Sequence, residues 1–260
     1  MNRYLKVLRL FWLTSLAAEA EYRVNFVLAF LTSLLNLGGS FFALFLFYRT
    51  GYQMGGWSWE QAMVVLGMYT LLDGFAGTFL IPNLSRIVPH VQEGTLDFIL
   101  LKPIDTQFWL SLRQVSLWGL PNVLFGFVLL GYAVHRLGLD GFALARGLIF
   151  LLPGLLLLYS LWFLLATLTI WFVKIYNIVY VLRSLLEAGR YPLAAYPASY
   201  RLTFTFIIPI AFLTTVPAQA VIGSWNLRGF GTATAVALAL FFVSRQFWRF
   251  ALRYYTSASS

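Results

Sequence analysis

With 260 residues, 60% of them hydrophobic and only 10% charged, the chain carries too few charges to solvate a soluble globule of its size. A formal net charge of +9 would suggest nucleic acid in a soluble protein, but the basic residues sit at the ends of long apolar runs, so no nucleic-acid partner is expected. Without cysteine, disulfides and thiolate metal sites are excluded.

Taken in chain order, residues 1–22 read as an interfacial helix. Arg3, Lys6 and Arg9 interleave with Leu5, Leu8, Phe11 and Trp12 at helical spacing, a basic stripe opposite an apolar one that suits a headgroup boundary. Ala18-Glu19-Ala20 after the apolar run from Leu10 to Leu16 looks like a signal cleavage site, but the interleaved charge favours the uncleaved helix. Six runs follow that are long enough to cross roughly 30 Å of hydrocarbon as helices. They lie near residues 24–48, 61–81, 115–134, 147–173, 202–222 and 232–248, so the fold class expected is an all-α, multi-pass integral membrane protein.

Charge sets the orientation. With the N-terminus inside, the cytoplasmic side holds Arg3, Lys6, Arg9, Arg23, Arg86, Lys102, Arg113, Lys174, Arg183, Arg190, Arg201, Arg245, Arg249 and Arg253, fourteen of the 18 Lys and Arg. Arg49, Arg136, Arg146 and Arg228 remain outside, and an even number of spans returns the C-terminus to the cytoplasm. Tyr48, Tyr52, Trp57 and Trp59 mark an outer aromatic belt.

Asp73 is the one carboxylate near the middle of a span, where a charged form costs about 2.5–3.5 kcal/mol on insertion scales. It must face protein or a wet cavity, either as a structural carboxylate bonded to a neighbouring helix or as a contact for substrate or a cation. Residues 82–114 form a cytoplasmic segment carrying Arg86, His90, Glu93, Asp97, Lys102, Asp105 and Arg113. Within it Thr95 to Leu101, between Gly94 and Pro103, reads as a short amphipathic helix. Residues 174–201 are expected to form a second cytoplasmic amphipathic segment, with Asn177, Ser184, Glu187 and Arg190 opposite Ile178, Val181, Leu182, Leu185 and Leu186, broken by Pro192 and Pro197. Glu187 is in helical reach of Arg183 and Arg190. In the next span Pro209 and Pro217 each remove a backbone donor, so a straight, lipid-exposed helix is not expected. Thr203, Thr205, Thr214, Thr215 and Gln219 are at hand to bond the freed groups, and Pro217 to Asn226 would fold back near the outer exit. Pro121 and Pro153 read as simple kinks.

The lysines are followed by Val7, Pro103 and Ile175, so no Gly-rich Lys-Ser/Thr loop exists and any ATP must be handled by a partner. His90 and His135 fall on opposite sides of the membrane and share no metal. No HExxH or Gly-x-Ser-x-Gly pattern occurs, and neither an enzyme activity nor a cofactor is expected.

The segment Gln92 to Pro103, QEGTLDFILLKP, resembles the permease subunits of ABC type-2 exporters. The N-terminal helix looks like the membrane-lying elbow of that family, and Arg190 to Gly223, RYPLAAYPASYRLTFTFIIPIAFLTTVPAQAVIG, is similar to the C-terminal region of a six-span branch of it. The resemblance implies a single permease domain over 1–260, with 82–114 as the coupling segment and Glu93, Gly94, Leu96, Asp97, Leu100 and Pro103 set against an ATP-binding cassette ATPase. It further implies two ATPase subunits, a second permease that is identical or homologous, and a place in a prokaryotic cytoplasmic (inner) membrane among its lipids. Asp73, Pro209, Thr214, Thr215, Pro217 and Gln219 are then candidates for a pathway or gate. An apolar, aromatic wall would suit a lipid, an amphipathic drug or a lipid-linked glycan. The alternatives are an ion-driven secondary transporter, which wants an inverted repeat and several intramembrane ionisable groups, a non-transporting scaffold, and the membrane subunit of an importer.

Overall fold

In hydrocarbon every backbone N–H and C=O must be satisfied within the chain, and apolar runs without a closed sheet can only do so as helices. The computed structural model, which describes residues 2–21, 23–51, 53–172 and 183–256, is helical throughout its regular structure and is an all-α integral membrane protein. Five helices are long and apolar enough to cross a membrane: Val24–Arg49, Trp59–Gln92, Leu117–Arg136, Gly141–Ile170 and Leu227–Ala251. The second outruns its expected end at 81. A π-helical turn at Ala76–Leu80 absorbs one extra residue, and Pro82 falls in the first turn of the following helix, where its missing N–H breaks no bond.

The elements are α1 (Asn2–Ala20), α2 (Arg23–Arg49), α3 (Trp59–Phe75), α4 (Ile81–Leu84), α5 (Ile87–Gln92), α6 (Leu96–Leu100), α7 (Thr106–Leu112), α8 (Leu120–Arg136), α9 (Gly141–Thr167), α10 (Ala198–Leu202), α11 (Thr215–Val221) and α12 (Leu227–Ala251). Ser58, Asp140 and Asn226 cap α3, α9 and α12 by accepting from backbone amides, and at Ser58 the Gln61 side chain completes a capping box.

Two antiparallel pairs form the core. Along α3 and α8 small residues alternate with large ones. Leu130 fills the space over Gly67, Leu71 that over Gly126, Val123 that over Gly74, and Gly119 lies on Thr78. A Cβ at Gly74 would stand 2.6 Å from Val123 N, so the two backbones touch there. Along α9 and α12 the seam is aromatic. Phe150 meets Phe230, Tyr159 meets Phe241, and Phe163 meets Trp248 edge to face at 5.5 Å. Tyr48, whose hydroxyl donates to Trp57 O at 2.7 Å, and Trp59 anchor the loop between α2 and α3; Tyr52 lies outside the described residues.

Two expectations are corrected. Of residues 174–201, the described part, 183–201, does not form a segment on the side of the coupling loop. Ala194 sits directly against Gly55, in the loop between α2 and α3, at the opposite end of the bundle. Glu187–Arg190, a single turn of 3-10 helix, packs on α3, with Arg190 over the Tyr69 ring. Asn177, Ile178, Val181 and Leu182 lie outside the described residues. Glu187 and Arg190 pair inside the bundle, which is why counting Arg190 as cytoplasmic misplaced it. Residues 202–222 likewise do not run as one continuous helix. Ala198–Thr205 and Ile210–Val221 are bent by 72°, and the piece starts near Ala194 and ends with Val221 against Gly147, both at the end that holds the α2–α3 loop. Trp171, beside Phe250 and Tyr254, lies at the other end of the bundle from Ala194.

The α3–α8 contact sets a test. Gly74→Ala forces backbone against backbone and is expected to destabilise the chain by roughly 1–3 kcal/mol, the usual range for overpacking. Gly131→Ala, on the same helix pair but with open space around it, is expected to be neutral. Thermal unfolding of both variants in detergent, followed by size-exclusion fluorescence, distinguishes them; equal midpoints would remove the close seam as a determinant of the fold.

Candidate functional site

One face of α2 carries Asn25, Thr32, Ser33, Asn36 and Ser40, while Leu31, Leu34, Leu35 and Phe42 are exposed around it. These intervals return to one side of a helix. The polar face borders a cavity of about 160 Å³ lined by Ser33, Asn36, Ser40, Tyr69, Asp73, Asn122, Arg183, Glu187 and Arg190. A second cavity of about 410 Å³ shares Ser33, Asn36, Asp73, Asn122 and Arg183 and continues past Ile81 and Pro82 to Asn25, Ser116 and Trp118. Together they form a polar seam between α2 and the α3–α8 pair.

Its chemistry is a set of fixed hydrogen bonds around charges of both signs. Asn122 Nδ2 donates to Asp73 Oδ2 at 2.7 Å. The two residues meet because Gly74, next to Asp73, lies on Val123, next to Asn122. Arg190 donates to Ser40 Oγ at 3.0 Å, stands 3.6 Å from Glu187, and stacks 5.2 Å from the Tyr69 ring centre. The pairing of Glu187 with Arg190 is therefore as the spacing suggests, whereas no Arg183–Glu187 bridge occurs among the described residues. Arg183 lines both cavities and, among the described residues, makes no hydrogen bond or ion pair. The arrangement can hold a polar or charged group inside the membrane. Reading the sequence missed most of it. The α2 stripe was legible as Asn, Ser and Thr at intervals of three and four, but Arg183 and Arg190 had been assigned to a cytoplasmic loop.

The other predicted residues lie elsewhere. α6 spans Leu96–Leu100, close to the expected 95–101, and Gly94 holds φ +70°, a conformation that L side chains rarely adopt. Glu93, Leu100 and Pro103 are exposed, whereas Leu96 is fully buried and presents nothing to a partner. The exposed apolar positions are instead Phe98, at 69%, and Leu101, at 81%. Asp97 faces the C-terminal segment, where burial first and then this carboxylate push the Tyr255 phenol up. α7 is tied to two spans: Arg245 donates to Asp105 Oδ2 at 2.8 Å, and Gln107 and Ser111 both bond the Tyr159 hydroxyl, at 3.0 and 2.8 Å. Burial pushes the Asp105 carboxyl up, but the Phe108 amide and Arg245 outweigh it and hold it below its ordinary value. α1 runs beside the irregular link after α7. Ser15 Oγ exchanges bonds with both Val115 N and Val115 O, and Glu19 accepts from Leu117 N.

Pro209, Thr214, Thr215 and Pro217 are buried and Gln219 is half-buried. α11 lies on α9 where Gly147 and Gly154 leave room, and Arg146 donates to the carbonyls of Ala220 and Val221 at the end of α11. Gly189 touches Ile210 and Thr214, so the broken piece abuts the turn that carries Arg190 but does not line the polar cavities.

Among known families, the model described as ABC-2 family transporter protein matches residues 34–259, far more than half of the chain. No curated protein matches it.

The Asp73–Asn122 contact is tested by two near-isosteric changes. Asn122→Leu strips the carboxylate of its donor and is expected to cost about 1–3 kcal/mol. Asp73→Asn keeps a hydrogen-bonding amide without the charge and should unfold within a few degrees of the parent. The same thermal assay reads both, and an Asn122→Leu chain as stable as the parent would show that the contact holds nothing.

Proposed function

Since the chain belongs to the ABC-2 family of transporter proteins and is a multi-pass membrane subunit of such a transporter, we propose that it is the permease of an exporter in a prokaryotic cytoplasmic membrane. It moves a hydrophobic or amphipathic substrate, energy comes from separate ATP-binding cassette ATPase subunits, and a second permease, identical or homologous, completes the pathway. Arg86, Lys102, Arg113, Arg249 and Arg253 gather at the α6 end, which favours that end, and both termini with it, in the cytoplasm.

The observation that carries the reading is α6 itself. Leu96 and Ile99 root it in the core while Phe98 and Leu101 stand out at the tip of a loop that also carries charge. An exposed apolar pair on a rooted helix is the form of a docking knob. Behind it, Asp105 and Arg245 connect the segment to α12, and Tyr159 connects it to α9. α9 in turn carries α11 on Gly147 and Gly154. Closure of the ATPase pair would move α6 and α7, and α9 would pass the displacement as a rigid body to the broken piece, which serves as the outer gate. Thr32 and Asn36, polar and exposed on α2, support a protein or substrate neighbour on that face rather than lipid.

Phe98→Glu and Leu101→Glu are expected to reduce the ATPase co-purified with the chain by about tenfold or more, the equivalent of at least ~1.4 kcal/mol lost from the contact. Undiminished recovery in both variants would sink the docking role. For the gate, single cysteines in this cysteine-free chain should label along Val216, Gln219 and Ile222, the half-exposed face of α11, to an extent that changes with bound ATP. Labelling identical in every nucleotide state would exclude it.

A further inference from the structure

Asp73 and Arg183 line the same cavities and attract each other across them, yet among the described residues no hydrogen bond or ion pair joins them directly. Among the described residues Asp73 receives one hydrogen bond, from Asn122, and the two salt bridges present are elsewhere, Glu187–Arg190 and Asp105–Arg245. Arg190, by contrast, is occupied by Ser40, Glu187 and Tyr69. A carboxylate and a guanidinium thus face one space inside the membrane without touching, and a ligand that bridges them would replace a through-space attraction by direct contacts at each.

We propose that the cavity between α2 and the α3–α8 pair binds the zwitterionic headgroup of an amphiphile, its phosphate at Arg183 and its ammonium at Asp73. The proposal rests on the reading of the chain as a permease for amphipathic substrates and specifies the class of substrate headgroup. The planar guanidinium fits two phosphate oxygens at once, and the free carboxylate oxygen accepts from an ammonium. A headgroup of one charge satisfies one of these residues and repels the other, whereas a zwitterion satisfies both. Asn25, Thr32, Asn36 and Ser116 supply further donors and acceptors around them. The volume of about 410 Å³ lies within the roughly 300–1,000 Å³ usual for ligand sites. Leu28, Ala29, Ile81 and Trp118 border the same cavity, so an acyl chain has an apolar wall beside the polar groups, and most of the other side chains of α2 are exposed.

The test is lipid binding to the purified full-length chain, with any subunits that accompany it, by native mass spectrometry. Phosphatidylethanolamine, phosphatidylglycerol and a glycosyl diacylglycerol serve as probes. The parent is expected to hold phosphatidylethanolamine about tenfold or more tighter than phosphatidylglycerol, the worth of one charge-assisted hydrogen bond. Asp73→Asn should make the two phospholipids equal, and Arg183→Gln should weaken both. Excess soluble phosphoethanolamine should displace phosphatidylethanolamine. Equal binding of the two phospholipids by the parent, tighter binding of the glycolipid, no displacement by phosphoethanolamine, or a preference untouched by both substitutions would each overturn the proposal. If Asp73→Asn does not fold, Arg183→Gln, whose side chain is exposed to the cavity, carries the test. The measurement needs neither ATP nor transport, so failure of the ATPase to co-purify would count against the exporter reading and leave headgroup binding to be judged on its own.

Discussion

The rest of the molecule depends on how closely α3 and α8 approach. In lipid there is no hydrophobic force to press one apolar helix on another, so association rests on contact between surfaces and on polar groups that find each other. Gly67, Gly74, Gly119 and Gly126 allow that contact, each meeting a large side chain or a backbone of the other helix. The register they enforce brings Asp73 and Asn122 to 2.7 Å, a pairing that a seam one side chain wider would not permit. The same device recurs on α9, where Gly147 and Gly154 admit α11 and its non-helical approach. Irregular backbone at membrane depth is tolerated only under cover of protein, and here the cover is made by removing side chains from the helix beneath.

The bundle has two ends with different construction. At the coupling end polar side chains are spent on backbone: Asn83 bonds both N and O of Gln114, and Ser15 and Glu19 serve the link that follows α7. This converts a chain of short helices between Ile81 and Ser116 into one body fastened to α1, α9 and α12. At the opposite end the fastening is aromatic and local, through Tyr48, Trp57 and Trp59 and through Trp225 on Phe150. A displacement applied to α7 therefore meets stiff connections before it reaches α9, and α9 is a single helix despite Pro153 within it.

What was legible in the sequence follows from what each signal measures. Hydropathy and length measure transfer into lipid, and they located five crossings because those helices have little else to satisfy. Gly94 and Pro103 bounded α6 because backbone stereochemistry acts locally. Which face of α6 points outward was not legible: Leu96 and Leu100 look alike in a short helix, and only packing against α5 and α7 turns the first inward. The placement of Arg190 was not legible for a physical reason. Charge counts treat every Arg as solvated, but Arg190 is neutralised by Glu187 and covered by Ser40 and Tyr69, contacts made 3, 150 and 121 positions away in sequence. A run with three charges in eight residues then reads as a loop, and the more apolar stretch after it, which turns back, reads as the span.

The polar cavities lie beside one of the two least enclosed spans among the described residues, and this placement is informative. α2 buries few of its side chains against the rest, and its polar contacts with the other helices are few, Ser40 with Arg190 being one. Such a helix is held by less contact than α3, α8 or α9 and belongs to the part of the structure that opens at lowest cost. A polar space sealed on all sides by stiff helices would be a structural network and nothing more. One bounded on one side by a loosely held helix, and faced on the other by a carboxylate and a guanidinium that do not touch, has the construction the proposed headgroup site needs. In this fold the stiff pair α3–α8 fixes the carboxylate, Glu187 and Ser40 fix Arg190 beside it, and α2 is the wall of the cavity with the least contact to the rest.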